Sequence, residues 1–202
     1  MTEIISKSKT RILTLRQYRK WRDELNPVYK VVADVLLNTG MRVEEFWEWY
    51  LHDIKLKDTP NRRWYKPSLN VIHLPVGVVK KKKALHQERQ IILTERGCQA
   101  VETLLTIEIK KVSRVTMREA FRLAADKAGI SNEYITPKML RKTLETWLLR
   151  CGFNEFRISS SIGHSQETMR TNYAGIQIPN EDLEEIREYL ARWGEVFGKR
   201  EA

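Results

Sequence analysis

Cysteine is scarce: Cys98 and Cys151 are the only two in 202 residues. They form no CxxC or other ligand spacing, which argues against a disulfide framework and a cysteine-based zinc site. Both fall inside helical patterns and read as core thiols. Long apolar runs are missing as well. No stretch approaches the roughly 18 residues of a membrane span, and no signal-peptide pattern is found, so the expectation is a cytoplasmic protein with no membrane contact. The sequence holds no GxxxxGK[ST], no GxGxxG and no HExxH. ATP, dinucleotide and zinc-protease chemistries thereby lose their usual signatures, and no cofactor or metal is expected.

What is abundant is positive charge. Thirty-six Lys and Arg oppose 26 Asp and Glu, for a net charge of +10 and a pI near 9.6, which points to a polyanion, nucleic acid above all. The charge is uneven, because residues 180–202 carry four basic against seven acidic side chains, leaving +13 on the rest. With 42% hydrophobic residues and six Trp, the chain can build one well-packed domain, or one with a small appendage.

Residues 1–13 are polar and read as an arm or linker. Thr14 and Gln17 can form a capping box for a first helix, and Asn26-Pro27 can cap and start a second that closes at Gly40, with Tyr29, Val32, Val35 and Leu36 inward. A third helix follows from Val43. Residues 70–76 and 88–93 read as two strands, and a four-lysine run, Lys80 to Lys83, joins them into a hairpin. Thr94 caps a helix to Leu105, while Ile107 to Val112 is ambiguous between helix and strand. Thr116 opens a helix from Met117 to Ala128, with Phe121, Leu123, Ala124 and Ala128 inward and Arg114, Arg118 and Arg122 forming a basic ridge. The last amphipathic helix runs from Glu181 to about Phe197.

The chemistry concentrates between Thr136 and Tyr173. Thr136-Pro137 reads as a helix N-cap and first position, and Leu140, Leu144, Trp147, Leu148 and Cys151 form the buried stripe. Lys138 and Arg141 then share a face in the first turn, where free backbone N–H groups and the helix dipole favour an anion. Gly152 and Asn154 turn the chain into a second helix. Gly163, His164 and Ser165 turn it again, into a short helix carrying Tyr173.

Lys138-x-x-Arg141, His164 placed 23 residues on and Tyr173 nine further on resemble the C-terminal signature of the tyrosine recombinases, the phage-type integrases and Xer or Cre-like enzymes. Upstream, Thr39-Gly40-Met41-Arg42-Val43-Glu44-Glu45 resembles the family's first arginine box, and Glu88-Arg89-Gln90-Ile91-Ile92 resembles the strand after its lysine hairpin. One departure is Lys138, where the family usually has His. Some archaeal viral and plasmid integrases are similar in this respect.

The resemblance implies a mainly α fold with a small antiparallel β-sheet (α+β), acting as a site-specific DNA recombinase that cleaves and rejoins DNA through a 3′-phosphotyrosine. In that scheme Arg42, Lys138, Arg141, His164 and Tyr173 are catalytic, with a hairpin lysine, Lys82 or its neighbour Lys81, as the acid for the departing 5′-oxygen. Glu45 supports Arg42. Lys80, Lys81, Lys83, Arg114, Arg118, Arg122 and Lys142 are the expected DNA contacts. The partners implied are double-stranded DNA and three further copies of the chain, a homo-tetramer on paired sites from a monomer in solution.

The resemblance spans about residues 14–179, which reads as the catalytic domain; 180–202 reads as an acidic helix, packed in cis or exchanged between protomers. Only about forty residues precede Arg42, so a catalytic fragment and a minimal enzyme are both open. Two alternatives stand beside this reading: a type IB topoisomerase-like nicking and religating enzyme, and a non-catalytic DNA-binding module that keeps the fold.

Overall fold

A computed structural model of the chain describes residues 3–78, 88–173 and 176–193. Helix α1 (Leu15–Asp23) opens with the expected reciprocal box: Thr14 accepts from the Gln17 N–H, and the Gln17 side chain accepts from the Thr14 N–H. Helix α2 (Pro27–Thr39) is capped by Asn26 and stops at Gly40, whose φ of +60° an L side chain rarely adopts. Helix α3 (Val43–Lys55) follows at once. Its Asp53, with no exposed surface, accepts from Trp49 Nε1 at 2.8 Å and from the backbone N–H groups of Trp64 and Tyr65 at 2.8 and 2.9 Å, tying the helix to the sheet. Four donors meet the carboxylate once His52 Nδ1 is included, which is how it is kept satisfied without water.

The sheet is antiparallel in the order β3–β4–β5, from β3 (Tyr65–Lys66), β4 (Val71–Leu74) and β5 (Arg89–Ile92), with Leu74 opposite Arg89 and Val71 opposite Ile92. The expected hairpin is present and gains a third strand. Its lysine loop lies outside the described residues, and so do Lys80, Lys81, Lys82 and Lys83. Helix α4 (Glu95–Leu105) is capped by Thr94. The ambiguous stretch after it is neither helix nor strand; the Tyr50 hydroxyl pins it by donating to the Ile107 carbonyl and accepting from the Ile109 N–H.

Two expectations fail on α5 (Arg114–Lys127). It starts earlier than Thr116, because Ser113 is the better-placed cap and accepts the Thr116 N–H. Leu123, expected inward, is 57% exposed, and Met117, Phe121, Ala124 and Ala125 form the buried face instead.

Helix α6 (Lys138–Arg150) is the centre of the molecule: from Met139 to Leu148 every residue is buried, polar ones included. A helix enclosed on all sides needs a cover on each. One is the segment expected as a polar arm. Strands β1 (Ile4–Ile5) and β2 (Arg11–Ile12) pair, Ile12 and Leu13 are fully buried, and β2 packs on α6. The Thr143 hydroxyl accepts the Leu13 N–H and Trp147 Nε1 donates to the Leu13 carbonyl, so backbone polar groups are matched along the seam.

Helices α7 (Glu155–Ile162), α8 (Gln166–Tyr173) and α9 (Asn180–Tyr189) complete the chain. The acidic α9 lies on its own protomer's α1 and α6. Ile186 and Leu190 are fully buried there, and Glu185 pairs with Arg16 at 2.9 Å.

Candidate active site

Three chain reversals face one another. At the first, the left-handed Gly40 delivers Arg42 to the start of α3, where Glu45 reaches back one turn. Glu45 accepts the Arg42 N–H at 2.8 Å and Arg42 Nη1 at 2.5 Å. At the second, Lys138 and Arg141 stand on the first turn of α6. Thr136 contributes its carbonyl, to the Met139 N–H, and no side-chain cap bond forms; the helix therefore begins one residue later than the sequence suggests. At the third, Gly163 ends α7 with φ +76° and hands the chain to His164.

Arg141 connects the first and third. Its Nη1 donates to the Gly40 carbonyl at 2.7 Å, 101 residues away in sequence, and its Nη2 points at the Gly163 carbonyl, 3.5 Å off. Beside it, His164 Nδ1 donates to Glu145 Oε1 at 2.8 Å. Arg42, Lys138, Arg141 and His164 all line one cavity of about 230 Å³, and Arg114 stands on its rim beside Glu44.

Beneath the cavity is a residue that reading by motif did not assign to the site. Arg89, on the inward phase of β5 and 4% exposed, donates to both oxygens of Glu45, at 2.6 and 3.3 Å, and to the Ile162 carbonyl at 2.9 Å. Its guanidinium occupies the space where a Cβ on Gly163 would stand, 2.6 Å from Nη1. Gly163 is thus required twice, by its φ and by its neighbour.

The chain matches the phage integrase family over residues 10–178. That span is most of the sequence, and it contains every one of these groups. The chain belongs to the phage integrase family. Its fold is also that of solved recombinase and integrase structures. It is similar to the XerA recombinase at 22% identity, covering 89% of this chain and 65% of that one, with a TM-score of 0.57. It is similar to the Tn1549 transposon integrase in complex with circular intermediate DNA at 19% identity, covering 89% and 67%, with a TM-score of 0.60. This integrase-family chain therefore spans about two thirds of their length. No curated protein matches.

The integrase-family geometry carries an electrostatic cost. Arg141 is pushed down to about 9, first by burial and then by Arg42 and Arg89, which still leaves it charged at neutral pH. Burial alone would raise the Glu45 carboxyl, but Arg89, Arg42 and Arg141 together hold it below the usual range. His164 is lowered by burial, Glu145 pulling it back up while Arg141 and Arg42 push it further down, so its imidazole is neutral at pH 7. The cavity holds more cation than its two buried carboxylates can neutralise. An oxyanion entering it would relieve the repulsion.

Not every expected residue arrives. The Tyr173 backbone ends α8, the helix that follows His164, while its side chain is outside the described set. Arg118 is exposed and pairs with Glu119 at 3.0 Å; Arg122 is half-buried. Lys142, expected among the DNA contacts, is 2% exposed, because α6 is covered on the side where Lys142 projects. Burial, then Lys138, lowers its pKa. Lys142 is enclosed and offers DNA no surface. Among the described residues no group of three or more His, Cys, Asp or Glu is arranged to hold a metal, and no helix is long and apolar enough to cross a membrane.

Proposed function

We propose that this chain is the catalytic part of a site-specific recombinase that cuts and rejoins double-stranded DNA through a phosphotyrosine at Tyr173. The observation that carries the reading is the convergence of Arg42, Lys138, Arg141 and His164 on a single cavity, at the positive ends of α3 and α6. A phosphodiester seated there gives its non-bridging oxygens two guanidinium forks, which match planar acceptor pairs better than ammonium groups do.

The phenol passes its proton to solvent water, assisted by Lys138, its oxygen bonds to phosphorus, and the bond to the 5′-oxygen breaks. A proton from a loop lysine, Lys82 in this reading, completes the departing hydroxyl. The phosphotyrosine keeps a phosphodiester linkage for the incoming strand, so no nucleotide triphosphate is consumed. Arg114 and Arg118 extend the positive surface along α5 towards the DNA backbone. Four chains on two paired sites complete the assembly, as strand exchange between two duplexes requires four cuts.

A pool of nicked duplexes of randomised sequence tests this, because the loss of a short 5′-fragment traps the cleaved intermediate. The expected result is a band stable to denaturation with the native chain, and none with Tyr173→Phe. Absence of a covalent band from both proteins would leave only a DNA-binding role. A band with both would move the nucleophile elsewhere.

A further inference from the structure

Glu145 is buried without exposed surface in the middle of the most enclosed helix of the fold, and the acceptor it presents is directed at His164. A carboxylate only accepts, so the hydrogen between the two sits on His164 Nδ1. The ring lines the anion cavity, and with Nδ1 engaged by Glu145 the nitrogen left for an anion is Nε2. We propose that Glu145 is a positioning residue, holding His164 in the Nδ1–H form so that Nε2 takes up a proton from solvent when a tetrahedral anion fills the cavity and hydrogen-bonds that anion through the new N–H.

The inference rests on the phosphate-binding reading of the same site. The groups facing His164 explain why the proton waits for the anion. Glu145 of α6 favours the imidazolium. Burial opposes it most, and Arg141 of the same helix and Arg42 at the start of α3 add to that. Glu45 and Arg89 lie behind Arg42, and Lys138 stands on the cavity wall. With the cavity empty, burial and the two guanidinium charges together outweigh Glu145 and favour the neutral ring. An oxyanion cancels the two guanidinium charges, Glu145 is left as the dominant neighbour, and the ring becomes a donor on both edges. His164 would then grip phosphate only once Arg42 and Arg141 have done so.

The test is 15N NMR of histidine-labelled protein across a pH titration, with and without sulfate, a tetrahedral anion that does not titrate in this range. In the free native chain at pH 7, His164 should show the Nδ1–H tautomer. Saturating sulfate should raise its titration midpoint by about one unit or more, the scale of a charge change within contact distance. Glu145→Gln should lower the midpoint in both conditions by about one unit, and Glu145→Asp should restore part of it.

An Nε2–H tautomer in the free native chain overturns the proposal without any variant having to fold. So does a native midpoint that sulfate leaves unmoved, or one equal in the native chain and Glu145→Gln. Failure of Tyr173 to form an adduct would not alter these signals, so the recombinase reading and this one fail separately.

Discussion

Arg141→Ala slows strand cleavage by about 10²- to 10³-fold in a single-turnover assay, the usual loss when one preorganised donor to a developing oxyanion is removed. The magnitude follows from what holds the guanidinium. Arg141 is buried, donates to the Gly40 carbonyl, and is aimed by it at the space between the first and third reversals. A freely moving surface arginine would have to be ordered in the transition state; this one is ordered beforehand. Arg141→Lys should recover little of the loss, since a single ammonium cannot bond Gly40 and still present two parallel N–H groups to the phosphate. Rates within a few-fold of native for either variant would place the oxyanion elsewhere.

Arg89→Met is expected to lower stability by about 3–5 kcal/mol, the range for removing one partner of a buried ion pair. Glu45 would keep Arg42 and its backbone bond but lose the contacts from below, and the Ile162 carbonyl would lose its donor. In a domain of this size that corresponds to a melting temperature lower by on the order of 10 °C. Gly163→Ala should destabilise too, because the new methyl meets Arg89 at a φ that alanine resists.

The two substitutions share one clash, so they should not add: Gly163→Ala costs less in the Arg89→Met background. Thermal melts of the single and double variants check both statements. Strict additivity would mean that the guanidinium and the Gly163 turn are independent, against the geometry.

Much of this site is legible because its signals are short-range. Arg42 caps and Arg141 lies just inside a helix start, marked by Gly40 and by Thr136-Pro137 respectively, and His164 follows a glycine stop; such punctuation survives without tertiary information. Arg89 carries no comparable mark. Its place on the inward phase of β5, between exposed Glu88 and Gln90, is visible in the alternation, but that alternation does not say what an inward arginine meets. Its partner lies 44 residues upstream.

Burial of polar groups is the general difficulty. Glu145 has no mark in the sequence beyond its i,i+4 spacing from Arg141, and in the fold it accepts from His164; Lys142 reads as a DNA contact and is enclosed. Both follow from the cover that β2, α2, α7 and α9 together place over α6. The two-residue strands β1 and β2 are too short to show a period, and only Ile4, Ile5, Ile12 and Leu13 hint that the N-terminal stretch is packed.

The account stands on a phosphorus atom seated among Arg42, Arg141 and His164 within reach of Tyr173. A crystal structure of the protein with a nicked duplex and orthovanadate, which mimics five-coordinate phosphorus, measures that directly. The prediction is vanadium bonded to the Tyr173 oxygen, with both guanidinium groups and His164 Nε2 on its equatorial oxygens. Vanadate bound at any other place on the protein, or bound in this cavity with Tyr173 directed away from it, would contradict the account.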